Sequence, residues 1–444
     1  MDSALAIAMR TIIFSSFVWL IFDVSSLPAA TDPTFLDTAT QAAGWILSRE
    51  ANENPKIGYW PSRQGLPVEE KCDLYYGNAG VILFLQELSR TTGRKEYPEA
   101  IQRGIGFLDQ NLPEIKLYGL YDGLAGIAYS LAQQSDNPEA LALCAKAVDR
   151  LMEGVSKQSN GGVRWNDYND IMSGSAGIGL TLLALGQQLH RPELINLSVQ
   201  AGIDLLARSV PAAQGRYWLH EITAQKQYPN FSHGTAGIAY FLLKLYQRSG
   251  ETRFLDAAID GAKYLNSIAS LNPSTRCLVP HDLPEQSDLF YLGWCHGPAG
   301  TDRFLYELSA VTNDTQWKSF ANAAADSVVH SGIPEKQTPG YWNNLSRCCG
   351  AVSAGEFFLA RYRLTQVVAD RAFAIRIGEY LKSHAERDGS GLKWVQAENR
   401  IEPDNLQAQT GLMQGAAGIG LFFIHLSESD GVAAMATPFP DSPW

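Results

Sequence analysis

The chain predicts an all-α protein whose helices come in pairs and close into an α/α barrel, and three observations support this. A glycine phrase recurs seven times, six times as Gly-x-x-Gly and once as Gly-x-x-Ser. Between the phrases, apolar residues fall three and four apart, the spacing of one helix face and not of a strand. The first and last stretches of the pattern look like full members, whereas an open stack of helix pairs would need polar caps at its ends.

Composition sets the frame. The 444 residues are 45% hydrophobic, 10% aromatic and 18% charged, enough apolar material for a large core and too balanced for a disordered, collagenous or coiled-coil chain. Forty-six acidic against 35 basic residues leave a net charge of −11, which repels phosphate backbones and argues against nucleic acid as a partner. The 39 glycines exceed what a helical chain needs unless they recur for a reason.

From the amino terminus, Thr11 to Phe22 is a mostly apolar run behind Arg10, followed by Leu27-Pro-Ala-Ala30. It is too short to span a bilayer and fits the core of a secretory signal, although Asp2 weakens the charged region and no clean cleavage site follows. An apolar helix packed on the domain is the alternative. The signal reading places the protein outside the cytoplasm, secreted or periplasmic; the other leaves it cytoplasmic. Residues 1–30 are set apart on this ground, and 31–444 are expected to form one domain acting as a monomer. No later stretch is long and apolar enough to cross a membrane.

The phrases are Gly77-Asn-Ala-Gly80, Gly123-Leu-Ala-Gly126, Gly174-Ser-Ala-Gly177, Gly234-Thr-Ala-Gly237, Gly297-Pro-Ala-Gly300, Gly350-Ala-Val-Ser353 and Gly415-Ala-Ala-Gly418. Their first glycines lie 46, 51, 60, 63, 53 and 65 residues apart. Each phrase opens an apolar helical run such as Ile238 to Tyr246, and an amphipathic one such as Arg253 to Leu265 lies between phrases. The unit is therefore read as an outer helix leading into an inner helix that starts at the glycine turn. Small residues there let the helix N-terminus approach a neighbour closely. Seven such turns should gather at one mouth.

Chemically capable residues sit on these turns. His233 precedes Gly234, Cys295 and His296 precede Gly297, and Cys348 and Cys349 precede Gly350. Asp170 lies four residues before Gly174, and Gln414 precedes Gly415. Three soft donors from neighbouring turns, with a fourth position open, describe a catalytic zinc more than a closed structural one. The other cysteines are Cys72, Cys144 and Cys277; the set is too sparse for a disulfide framework, and Cys144 reads as a buried small hydrophobe.

Ser232-His-Gly-Thr-Ala-Gly237, Trp294-Cys-His-Gly-Pro-Ala-Gly300, Cys348-Cys-Gly350 and Gln414-Gly-Ala-Ala-Gly-Ile419 resemble the motifs of the lanthionine synthetase C-like family, the zinc-dependent lantibiotic cyclases and their relatives. The resemblance runs from about Asp32 to the end of the sequence. It implies a toroid of seven inner and seven outer helices around a central zinc. It also implies Cys295 and Cys348 as ligands, with Cys349 where the family usually has histidine. His233 matches the family's acid/base histidine, Asp170 its Tyr-Asp-x-x-x-Gly aspartate, and His296 a position often filled by Tyr or His. The implied chemistry is Michael addition of a cysteine thiol to dehydroalanine or dehydrobutyrine. His233 would be the general acid oriented by Asp170, and His296 would hold the enolate oxygen. The substrate would be a peptide or small thiol, a dehydrated peptide coming from a separate dehydratase.

Two departures stand out. Tyr291 occupies the position, four before Cys295, where well-studied cyclases have arginine, so Arg303 or Arg347 would have to stabilise the enolate. Ser353 replaces the last glycine of the sixth phrase. The first alternative function is a zinc-dependent thiol- or glutathione-binding protein with little or no cyclase activity. The second is a toroid glycosidase using carboxylates drawn from Asp122, Asp170, Glu221 and Glu398, none of which the repeat pairs. Asn196, Asn230, Asn313 and Asn344 begin glycosylation sequons, relevant only in a eukaryotic secretory pathway. Glu398-Asn-Arg400 could reach the mouth as a substrate contact, although a solvated loop is the favoured reading, and the Pro-rich tail after Ser429 is expected on the barrel near the mouth.

Overall fold

The structure, a computed structural model, describes residues 33–269, 277–286, 288–428 and 439–443, without the side chains of 33 and 52–54. The apolar run Thr11–Phe22 lies outside these residues. Seven helices begin within the glycine phrases: α3 (Asn78–Thr92), α5 (Leu124–Ala132), α7 (Ser175–Gln188), α9 (Thr235–Ser249), α11 (Pro298–Thr312), α13 (Ala351–Thr365) and α15 (Ala416–Ser427). These form the inner ring. Every residue of α5 and of α15 is buried, as a helix covered on all sides requires. Seven more form the outer ring: α1 (Pro33–Ser48), α4 (Glu96–Asn111), α6 (Pro138–Glu153), α8 (Pro192–Ala207), α10 (Thr252–Ile268), α12 (Thr315–His330) and α14 (Val368–Ser383). A single-turn helix, α2 (Val68–Cys72), precedes the first phrase.

The all-α toroid of seven inner and seven outer helices is therefore what the chain adopts, but its packing unit differs from the one read in the sequence. Each inner helix from α3 to α13 packs mainly on the outer helix that follows it and far less on the one before. Connections of two to five residues force this, since a short link folds two helices back as an antiparallel hairpin. Left-handed residues close several of these links, Gly93 at φ 67°, Gly250 at φ 73°, Asn313 at φ 56° and Gln366 at φ 59°. Among the described residues no outer helix follows α15, and α1 covers it. The packing of α1 on α15 closes the ring.

A second closure runs through the backbone at the mouth. The residue two before each phrase donates its N–H to its counterpart in another turn. Tyr75 donates to Tyr121 (3.0 Å), Tyr121 to Met172 (3.0 Å), Met172 to Ser232 (3.3 Å) and Ser232 to Cys295 (2.9 Å). Cys295 then donates to Cys348 (3.1 Å), Cys348 to Met413 (2.9 Å), and Met413 back to Tyr75 (3.0 Å). Seven turns thus form one hydrogen-bonded circle, and every buried link in it is satisfied.

The glycines are required by close approach, not by dihedral angle. A Cβ on Gly234 would stand 1.3 Å from the Tyr228 carbonyl oxygen, and one on Gly237 would stand 2.1 Å from that of Phe231. The carbonyl six residues back lies over both glycines of the phrase, so each turn packs a loop against its own helix start. Ser353 departs from this without loss, because its hydroxyl accepts the Trp294 N–H at 3.0 Å and donates to the Gly350 carbonyl at 2.8 Å.

The longer connections from outer to inner helices hold six two-stranded pairings among the described residues, small additions to an all-α frame. Three of these connections contribute a tryptophan that donates to the last turn of the preceding outer helix: Trp165 to Leu151, Trp218 to Leu205 and Trp394 to Leu381, at 2.6, 2.7 and 2.8 Å. Each indole adds a donor to a carbonyl in the last turn of its helix, and those of Leu205 and Leu381 also accept the backbone N–H of Arg208 and His384 at 3.2 and 3.3 Å. No helix of the described residues is long and apolar enough to cross a membrane.

Candidate metal centre and its acid–base surround

Because Cys295 and Cys348 hold equivalent places in the backbone circle, their side chains leave adjacent turns toward the same point. Cys349 follows one residue later. The Cys295 and Cys349 sulfurs are 3.1 Å apart and those of Cys349 and Cys348 3.3 Å, with all three thiols free. All three lie within 4.8 Å of one another, and this is the one group of three or more metal-capable side chains found among the described residues. Two are buried and Cys349 is partly exposed toward the mouth. Convergent, unbonded, mostly desolvated thiols suit a soft divalent cation with one position left for an outside ligand.

The three thiols shift one another's ionisation. Burial opposes ionisation of Cys348, but hydrogen bonds from Cys295, Cys349 and Tyr75 outweigh it and hold its thiol well below the ordinary range. Burial and that neighbouring charge push Cys295 well above the ordinary range. The Tyr75 hydroxyl is itself held by Gln414 at 2.8 Å.

His233 and Asp170 meet as expected. The His233 Nδ1 lies 2.7 Å from Asp170 Oδ2, and its side chain remains 31% exposed at the mouth. Burial would lower the His233 pKa, but the hydrogen bond and charge of Asp170 outweigh it and raise the value above that of a free histidine. Asp170 serves two masters, since its Oδ1 accepts the Ser173 and Gly174 N–H groups at 2.9 and 3.0 Å. Asp73 does the same for Tyr76 and Gly77 in the first turn but faces no histidine. The aspartate is thus a turn device that one unit has put to a second use. Beside it, burial raises Asp122 to about 6, while Ser173 donates to its Oδ2 at 2.5 Å.

His296 is buried in an aromatic wall that the sequence did not disclose. Its ring lies 4.4 Å from His281, 5.3 Å from Tyr228, 5.5 Å from Tyr291 and 5.5 Å from His233. Burial, then His281, His233 and His220, hold it well below the ordinary histidine range, so it is neutral at pH 7. Its Nδ1 has no hydrogen-bond partner. His281 and His220 lie outside the glycine phrases, on loops of unequal length. Tyr228 and Tyr291 share the position six before a phrase glycine, a register that would have marked both.

The two arginines expected to replace the absent one do not face the thiols from the mouth. Arg303 pairs with Asp441 at 3.3 Å, and Arg347 with the buried Glu356 at 2.7 Å. The cation on this wall is Arg400, which hydrogen-bonds Tyr291 and donates to Gln286 at 2.9 Å, with its buried Nε left unpartnered. Two residues earlier, Glu398 accepts from the Tyr76 hydroxyl, pairs with Arg63 at 3.3 Å and accepts from Gln409 at 2.9 Å. The segment Glu398–Arg400 therefore does reach the site. Glu221 instead lies bridged to Tyr168. The tail also departs from expectation: Phe439–Pro443 enters the ring from the end away from the glycine turns, where Pro440 meets α7 and α9 and Pro443 meets α11 and α13.

Fold and site together define a closed seven-fold α/α toroid presenting three thiols and an Asp–His pair at one mouth. The model of the family described as lanthionine synthetase C-like protein matches residues 68–436, and the chain belongs to that family. It is 22% identical over 310 residues to a Danio rerio protein named glutathione S-transferase LANCL1, covering 66% of this chain and 71% of that one. Nisin cyclase has the same fold at a TM-score of 0.64 and 16% identity, over 88% of this chain and 93% of the cyclase. The Lin0763 protein of Listeria innocua is similar at a TM-score of 0.51 and 10% identity, over 88% and 96% of the two chains.

Proposed function

We propose that the protein is a zinc-dependent catalyst of thiol addition to dehydroalanine or dehydrobutyrine, acting on a dehydrated peptide made by another protein. The observation that bears most weight is the meeting of Cys295, Cys348 and Cys349 with the His233–Asp170 pair at one mouth. A zinc ion bound by the three cysteines would leave a fourth position at which an incoming thiol loses its proton near neutral pH.

The protein's own groups would do the rest. In the addition, one carbon–sulfur bond forms at the β-carbon and the alkene π pair moves onto Cα and its carbonyl. His233, whose protonated form Asp170 favours, gives its proton to Cα; the proton released by the thiol restores it. Neutral His296, with Tyr291 and Arg400 nearby, faces the developing enolate oxygen. No oxidant is consumed and nothing leaves.

A second reading is a zinc-dependent thiol- or glutathione-binding protein with little or no cyclisation. The relative named a glutathione S-transferase favours it, as do the opposite charges of Glu398 and Arg400, two residues apart in one loop, which suit a small zwitterionic thiol. Metal analysis of the purified protein, followed by incubation with a dehydroalanine peptide carrying its own cysteine, tests the first reading. Cyclised product from the wild type, lost with metal in Cys295→Ala, is expected. His233→Ala should keep the metal and slow addition by about 10²–10⁴-fold. Metal-bound protein that binds glutathione without converting either substrate would select the second reading.

A further inference from the structure

The segment Phe439–Pro443 fills the ring from behind the thiols, and its contacts fall on the residues next to them. Asp441 is fully buried, and its Oδ2 accepts from Trp294 Nε1 at 2.9 Å, from the Tyr121 hydroxyl at 3.1 Å and from Arg303 at 3.3 Å. Its main-chain carbonyl accepts from the same Arg303 nitrogen at 3.1 Å. Phe439 is 4% exposed and lies under the Arg347 guanidinium, 5.0 Å from its ring centre. A turn ties the two together, Ser442 donating its N–H to the Phe439 carbonyl at 2.9 Å.

Trp294 immediately precedes Cys295, and Arg347 immediately precedes Cys348. Tyr121 is a member of the backbone circle. The segment therefore grips three of the seven turns, including both that present thiols, from the side opposite the substrate. A carboxylate accepting three charged or polar hydrogens inside a protein is a rigid anchor, because every alternative leaves buried donors unpaired. Groups that orient metal ligands through such contacts typically change metal affinity by about 10–100-fold when removed.

We infer that Phe439 and Asp441 form the floor of the metal centre, as positioning residues that hold the Cys295 and Cys348 turns and seal the thiols from water entering along the ring axis. This rests on the reading of the three cysteines as metal ligands. It assigns the segment a role in the site, where burial alone would make it only a plug that stabilises the ring.

The full chain is loaded with cobalt(II) as a spectroscopic stand-in for zinc. Wild type, Asp441→Ala, Asp441→Asn, Phe439→Ala and a remote core control, Phe254→Leu, are compared. Asp441→Ala and Phe439→Ala should release the metal about 10–100-fold faster to a chelator and alter the cobalt ligand-field bands. Asp441→Asn keeps an acceptor for Trp294 and Tyr121, so its bands should stay close to wild type although its melting temperature falls. Phe254→Leu should lower the melting temperature alone. In metal-free protein, the alkylation rate of Cys295 and Cys348, read by mass spectrometry, should rise about tenfold in Asp441→Ala. Wild-type release, bands and alkylation in Asp441→Ala would overturn the inference. Failure of the wild type to take up any metal would overturn the ligand reading instead, and the alkylation rates would then decide the floor by themselves.

Discussion

Cys349 stands one position later on its turn than Cys295 and Cys348 do on theirs, and it alone of the three is partly exposed. A ligand there reaches the site from the rim, where a longer side chain has room. Cys349→His should therefore retain the metal with one nitrogen donor, while Cys349→Ala should lower metal content; equal content in all three proteins would remove Cys349 from the donor set. Farther from the mouth, Glu356 joins His425 at 2.8 Å and Arg347 at 2.7 Å. Burial would raise its carboxyl pKa, but the charges of His425 and Arg347 outweigh it and hold the value far below the usual carboxylate range. A depressed folded-state pKa contributes stability above the unfolded value and loses it as pH falls toward the folded one. Denaturation midpoints should drop on acidification below about pH 4.5. Glu356→Gln should cost about 3–5 kcal/mol at neutral pH and flatten that acid limb. An acid limb unchanged in the variant would show that Glu356 is not its source. Of these residues, the cysteines and His233 were legible because the repeat numbers them. Glu356 and His281 were not assigned roles, because what joins them to their neighbours is proximity across turns with no shared spacing.

At the scale of the turn, the glycine phrase works by sterics. The Phe231 carbonyl oxygen would lie 2.1 Å and Ile171 Cγ1 2.5 Å from a Cβ on Gly237, and neither can move without shifting the backbone circle. Gly237→Ala should cost about 3 kcal/mol in denaturant unfolding and also perturb the His233 turn. A variant of wild-type stability would mean that the carbonyl packing is slack. The sequence marked these positions as close approaches but gave no hint of what approaches them, which is the chain's own carbonyl six residues back. The direction of helix pairing was misread for a related reason. Periodicity identifies two helices per repeat equally well in either order, and loop length decides which two fold together. The tryptophan caps on α6, α8 and α14 went unread because they come from loops whose spacing to the phrase varies.

At the scale of the molecule, closure couples every unit to two neighbours, and the packing of α1 on α15 completes the ring. An open stack of the same pairs would unfold progressively from its ends. The closed ring should instead lose helicity, followed by far-ultraviolet circular dichroism, and the tertiary signal of its buried tryptophans in one coincident transition. Separate midpoints for the two signals would show the ring opening before its hairpins melt. Closure also explains why seven turns of unequal length still converge. The hydrogen-bonded circle takes one residue from each turn at a constant offset from the glycines, and all variation is pushed into the loops outside it.

The sequence by itself determined the number of helix pairs, the all-α class, the glycine turns and the concentration of cysteine and histidine upon them. These are properties of spacing, and spacing survives in one dimension. Only the tertiary structure decided which helices pair, that Arg400 and not Arg303 or Arg347 stands at the mouth, and that Phe439 and Asp441 reach the back of the thiols. Those depend on where chain segments far apart in sequence are brought when the ring closes. That is set by loop length and by the burial of side chains no local pattern connects.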